Sequence, residues 1–259
     1  SFIDWTPEWE KTNGVPAATL QGPITMESLL YLLGLQYAQQ LYAYLGRQDM
    51  AAEYTSRAHA LQEAIRTQCI GQEGMLRDGP TAEIYSQHCQ VFGILTGTLS
   101  KEQGAAILQK TLDNPTGYAQ CSVAMMPYLF RALAQCGLYE RTGALWDPWR
   151  RMVQMHLTTC AEDMIHSRSD CHAWGALALY ELPAVVLGVH PASPGCETLE
   201  IHPLPGNLTW AEGTAITPKG SVWVRWEKTE GGLALDIRCP AGLSLSVPGK
   251  YVRKNVIRV

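Results

Sequence analysis

Charge and phenylalanine are both scarce in this sequence. Only 17% of its 259 residues are Asp, Glu, Lys or Arg, against 46% hydrophobic. A charged fraction below the ~25% of ordinary soluble domains speaks for a large buried interior and against disorder. The charge also nearly cancels, since 20 Lys and Arg face 24 Asp and Glu for a net of −4. A chain so balanced is not expected to have nucleic acid or an anionic membrane as a partner. No apolar run approaches the ~18 residues of a membrane span, because Gln36, Gln39 and Gln40 interrupt Leu29–Leu45. The opening SFIDWTPEWE has neither the basic region nor the apolar core of a secretion signal, and it does not begin with Met.

Several chemistries lose support through missing motifs. There is no GxSxG, GxGxxG, phosphate-binding loop or HExxH, so serine-hydrolase, dinucleotide, nucleotide and zincin readings have no basis. The eight cysteines form no CxxC pair and no short-spaced cluster, so no metal and no cofactor is expected. Most lie in apolar helical stretches, as small buried thiols of a reducing compartment do. That usage favours a cytoplasmic protein.

What is present falls into two textures that meet near Gly188–Pro194. Before that point apolar residues recur at helical spacing, predicting helices at Pro23–Leu45, Gln48–Cys69, Ala82–Thr96, Lys101–Leu112, Ala119–Gln135, Tyr139–Leu157 and Cys171–Leu187. Short connections imply antiparallel helical hairpins. After it the period is two: Val222, Val224 and Trp226, then Leu233, Leu235 and Ile237, are joined through Glu230-Gly231-Gly232, a hairpin signal. Thr198–His202, Leu243–Val247 and Val252–Val259 complete a small sheet structure. The expected fold is thus α+β and multidomain. Residues 1–190 form a partial (α/α)6 toroid of helical hairpins, and 191–259 a small antiparallel β-sandwich. A closed toroid needs twelve helices and seven are predicted, so we expect the C-terminal part of a longer polypeptide, whose missing N-terminal part would be a partner.

The densest polar stretch is LTTCAEDMIHSRSDCHAWG, residues 157–175. It places Glu162, Asp163, His166, Arg168, Asp170 and His172 in one helix–helix loop, with Trp174 just behind. Acids, an imidazole, a cation and an indole together suit glycoside cleavage. That reaction needs one carboxylate to activate water, a second acid to protonate the leaving oxygen, and aromatic surface for the sugar ring. A solvated connection explains the same composition. The segment FIDWTPEWE offers Asp4, Trp5, Glu8 and Trp9, which suit a sugar or simply anchor the chain. Glu83, Tyr85, Gln87 and His88 could line a cavity. Trp146 and Trp149 read as core, and His59, His156, His190 and His202 as structural. Tryptophan and tyrosine, 8 and 11 against 3 Phe, favour amphipathic aromatic surface.

At TTCAED, SRSDCHAWG and GVHPASPGCETLEIHPLPGNLTWAEGTAITPKGSVWVRW the chain resembles the C-terminal end of α-L-rhamnosidases of glycoside hydrolase family 78, across essentially its whole length. The resemblance implies an (α/α)6 barrel followed by a sandwich, with the Gly188–Trp226 run serving structure. It also implies hydrolysis of terminal α-L-rhamnosyl bonds with inversion, on a carbohydrate substrate. Glu162, after Thr158-Thr159, would be the general base. His172, before Ala173-Trp174-Gly175, would contact the sugar, and Asp4-Trp5 would match the pair whose Trp packs on it. Trp174 joins them as a further aromatic. His156-Leu157 and Ala161 depart from the common pattern and leave the pocket's shape open. The family's acid belongs to a motif absent from these 259 residues, so the chain alone is expected to be inactive. Two other readings stand beside this one: a non-catalytic carbohydrate-binding or scaffold protein on the same fold, and a different α/α-toroid glycosidase.

Overall fold

A computed structural model describes residues 2–164 and 169–259, so His166 and Arg168 of the polar loop lie outside the described residues. By its contacts the chain divides into two units, Ser1–Leu138 and Tyr139–Val259. The change from helix to strand comes later, at Gly188–Val189. The last helices therefore group with the sheets that follow them.

The first unit holds α1 (Thr25–Tyr44), α2 (Gln48–Cys69), α3 (Gln87–Leu95), α4 (Lys101–Asp113) and α5 (Met126–Gln135). Gly46, at φ 74°, allows the chain to reverse between α1 and α2. These two pack together, and α3 touches α1, α4 and α5. That central position explains why every residue from Gln87 to Ile94 is buried. A helix buried on all sides must satisfy its polar groups internally. Gln90 does so by accepting from Leu76 N at 2.9 Å and donating to Leu76 O at 2.7 Å. Ser100 and Gln103 close a capping box at the start of α4. Two helices begin later than periodicity suggests. Before α3, residues 78–86 form isolated bridges, Gly79 with Ala82 and Ser86 with Ala119. Before α5, Pro127 fixes the first helical turn.

The second unit begins with α6 (Thr142–Leu145) and α7 (Asp147–Gln154), where Pro148 helps divide one predicted long helix into short pieces. Then α8 (Leu177–Tyr180) runs directly into a π-type turn, Glu181–Val186. Pro183 has no N–H to give, and the Leu187 N–H reaches back five residues to the Leu182 carbonyl at 2.9 Å.

Seven strands follow: β1 Val189–Pro191, β2 Thr198–Ile201, β3 Trp210–Thr217, β4 Gly220–Thr229, β5 Gly232–Cys239, β6 Ser244–Ser246 and β7 Arg253–Arg258. They form one sheet in the order β1-β2-β6 and another in the order β3-β4-β5-β7. The β4–β5 hairpin pairs Thr229 with Gly232 and so turns on Glu230-Gly231, as the alternation predicts. The sandwich is not wholly antiparallel as expected, because β6 runs parallel to β2 and β7 parallel to β5. Between β5 and β7 the chain passes through β6 in the other sheet, so β7 returns to β5 in the same direction and not as a hairpin partner. Val222, Val224, Trp226, Leu235 and Ile237 face Leu199 and Ile201 in one apolar core. Trp226 is wholly buried, and its indole N–H donates to Val186 O at 2.7 Å, which gives a large buried indole its needed partner.

Candidate functional site

In the second unit the polar loop folds back on itself. Glu162 N–H donates to Ser169 O at 2.9 Å, and His172 N–H donates to Cys160 O at 2.7 Å. The Thr159 hydroxyl adds a bond to Asp170 O. Residues 159–162 and 169–172 therefore lie side by side, which brings together two predicted site residues ten apart in sequence. Gly175 makes the next contact possible: a Cβ there would lie 2.5 Å from Ala161 O, a distance no side chain tolerates. Trp149, buried as predicted, fixes this corner by donating from its indole to Gly175 O at 2.7 Å. Trp146 meets it edge-on at 5.2 Å but is only partly buried.

Within that frame Glu162 is only 3% exposed. The Trp174 indole donates to Glu162 O at 3.1 Å, and the His172 and Trp174 rings are 4.1 Å apart. The loop thus gathers a buried carboxylate residue, an imidazole and an indole on a backbone held from both sides. Such a set can activate a water and hold a sugar ring.

Asp4 and Trp5 lie in the first unit and are described there. Asp4 is 1% exposed. Its carboxylate accepts from Ser122 N at 2.8 Å and from the Ser122 hydroxyl, and meets His88 Nε2 at 2.7 Å. Asp4 therefore faces protein on every side and serves to tie the N-terminal segment to α3 and to residues around Ser122. Trp5 is half-buried, 4.8 Å from the Phe2 ring. Trp9 is buried against His88, with the rings 4.4 Å apart, so it anchors the segment. Glu8 is exposed.

Other candidates separate in the same way. Gln87 and His88 are buried, with Gln87 Oε1 accepting from Cys121 N at 3.1 Å. Glu83 and Tyr85 precede α3 and pair with each other and with Arg77 at the surface. His190 is half-buried beside Glu200 at 3.2 Å. Sequence reasoning passed over Glu181, a carboxylate residue 2% exposed whose Oε1 accepts from the Tyr139 hydroxyl at 2.7 Å. Burial, reinforced by the Glu181 charge, pushes the Tyr139 phenol far above its usual range. The only hint was an acid inside an apolar helical stretch just before Pro183.

No helix among the described residues is long and apolar enough to cross a membrane. Residues 188–256 match the family described as bacterial α-L-rhamnosidase C-terminal domain. A search of curated proteins finds no match. Among solved structures, the GH78 rhamnosidase of Bacillus sp. GL1 is 28% identical with a TM-score of 0.83, over 100% of this chain and 29% of that one. The α-L-rhamnosidase of Aspergillus terreus is 20% identical (TM-score 0.70, 85% of this chain and 28% of that one) and shares the fold. So does that of Streptomyces avermitilis, solved with L-rhamnose (18%, 0.67, 85% of this chain and 22% of that one). The chain spans less than a third of the length of these structures. Its helices and sheets match their helical and sandwich domains: over its whole length the chain is similar to the GH78 rhamnosidase, and residues 188–256 match the C-terminal domain of bacterial α-L-rhamnosidases.

Proposed function

We propose that this chain supplies the water-activating side of an inverting α-L-rhamnosidase. Glu162 is the general base, and His172 and Trp174 hold the sugar. The proton for the leaving oxygen comes from an acid outside these 259 residues. The observation that carries the reading is the folded-back loop. It buries Glu162 to 3% exposure and ties the backbone of that residue to the segment leading to His172 and to the Trp174 indole.

In inversion the base takes a proton from water as the water attacks the anomeric carbon through an oxocarbenium-like transition state, and a second carboxylic acid protonates the departing oxygen. A base buried in a loop pinned at both legs keeps its direction without reorganisation during the reaction. Rhamnose is favoured by the L-rhamnose found with the Streptomyces avermitilis relative. The test is turnover of an aryl α-L-rhamnoside by the polypeptide that carries these residues, beside its Glu162→Gln variant. Turnover at the parent rate by the variant removes the assignment, and turnover by the isolated 259 residues removes the need for an outside acid.

A further inference from the structure

We propose that the outer face of the β3-β4-β5-β7 sheet is a second carbohydrate site, a platform for a neutral oligosaccharide. The run containing Trp210 is implied to be structural, yet the two tryptophans of this region differ sharply: Trp226 is wholly buried while Trp210 is 55% exposed. Packing within the sandwich core does not account for a large exposed indole.

The register places a mixed surface around it. Glu212 pairs with Arg225 and Arg225 with Asp236 across three strands. Trp223 stands beside that row. Each indole is backed by a guanidinium, with Arg225 Cζ 5.4 Å from the Trp210 ring centre and Arg238 Cζ 4.6 Å from that of Trp223. The cations fix the ring planes. The Trp223 N–H donates to Glu212 at 3.2 Å, and Arg225 donates to the same carboxylate at 2.8 Å. Rigid indoles flanking a row of carboxylates and guanidiniums offer what a sugar chain needs: apolar plates for its C–H faces, and fixed acceptors and donors for its hydroxyls.

Charge selects among ligands. Glu212, Glu227 and Asp236 are equalled in number by Arg225, Arg238 and Arg253: Arg225 pairs with Glu212 at 2.8 Å and Glu227 at 3.8 Å, and Arg253 with Asp236 at 2.7 Å. A face whose charges cancel gives no net attraction to an acidic polymer or an anionic lipid surface, so the ligand is uncharged. The span sets its size. Trp223 lies opposite Thr214, four residues from Trp210 on β3, or about 13 Å along the strand. That matches a short oligosaccharide better than a single sugar.

The platform is independent of Glu162; only the choice of a rhamnose polymer as probe rests on the preceding reading. In native gels containing soluble rhamnan, the 259-residue chain should be retarded, and Trp210→Ala should weaken retention at least about tenfold, as loss of a central aromatic anchor does. Trp223→Ala should weaken it too, Glu162→Gln should leave it unchanged, and polygalacturonate should retard nothing. Circular dichroism checks that each variant is folded. Retention on a neutral mannan instead of rhamnan, lost in Trp210→Ala, supports the platform and counts against rhamnose. No retention on either polymer overturns the proposal. So does retention that Glu162→Gln abolishes and Trp210→Ala spares, or a self-association lost in Trp210→Ala with no polymer bound.

Discussion

Asp4 and Glu162 are both buried acids, and the regions that hold them are built differently. Around Asp4 the carboxylate itself is the anchor: a hydroxyl, a backbone N–H and an imidazole converge on it. Around Glu162 the backbone is an anchor, through Ser169 O and the Trp174 indole. A carboxylate whose lone pairs are spent on internal donors holds structure. A pinned main chain, as at Glu162, fixes the point from which the side chain extends, which the proposed role as base requires. Burial alone does not separate the two; the variants do.

The largest expected effect attacks the Glu162 side of this contrast. Glu162→Gln should lower kcat of the rhamnoside-cleaving polypeptide by about 10²–10⁴-fold, the usual worth of a positioned base, with its urea midpoint nearly unchanged. A stability loss with little loss of rate would make Glu162 a structural acid like Asp4. The converse holds for Asp4→Ala, which strands His88 in the interior and should cost about 3–5 kcal/mol in urea unfolding. If the variant unfolds at the parent midpoint, the contrast fails from that side.

Smaller effects sharpen the picture. Gly175→Ala pushes a methyl into Ala161 O, and we expect about 1–3 kcal/mol of destabilisation, together with a fall in rate, because the clash displaces the leg that bears Glu162. A stability change without a rate change would detach the corner from the site. Tyr139→Phe leaves Glu181 without its phenolic donor, at about 1–3 kcal/mol. This pair also predicts a pH dependence. The folded-state pKa of Tyr139 is raised, so its stabilisation is complete below the ordinary phenol value near 10 and is lost as pH rises beyond it. Parent and Tyr139→Phe stabilities should converge above pH 10 by about 1.4 kcal/mol per pH unit. Parallel curves would contradict the burial of that phenol.

Much of the architecture was legible because its signals are local. α2 and the β4–β5 hairpin follow from periodicity and a two-residue turn, and their bounds match the structure. β3 was not legible, since Trp210–Thr217 contains Gly213 and buries only Ala215, so alternation hardly shows. The parallel β2–β6 and β5–β7 pairings join segments far apart in sequence, which local pattern does not report. At the proposed site, the polar loop that carries Glu162, His172 and Trp174 was readable as one stretch of sequence. That Asp4 faces inward was not readable, because its partners His88 and Ser122 are 84 and 118 residues away.

The widened turn at Pro183 has one more consequence. Leu177, Glu181 and Val186 are buried, at intervals of four and then five, so the inward stripe of this helix slips by one residue halfway along. Excising one amino acid between Glu181 and Val186 would set Val186 four after Glu181, the ordinary helical interval, and would remove the surplus residue that the widened turn accommodates. The surplus residue keeps two obligations compatible: an acid delivered to Tyr139 at one end, and a chain handed to the first strand in step at the other.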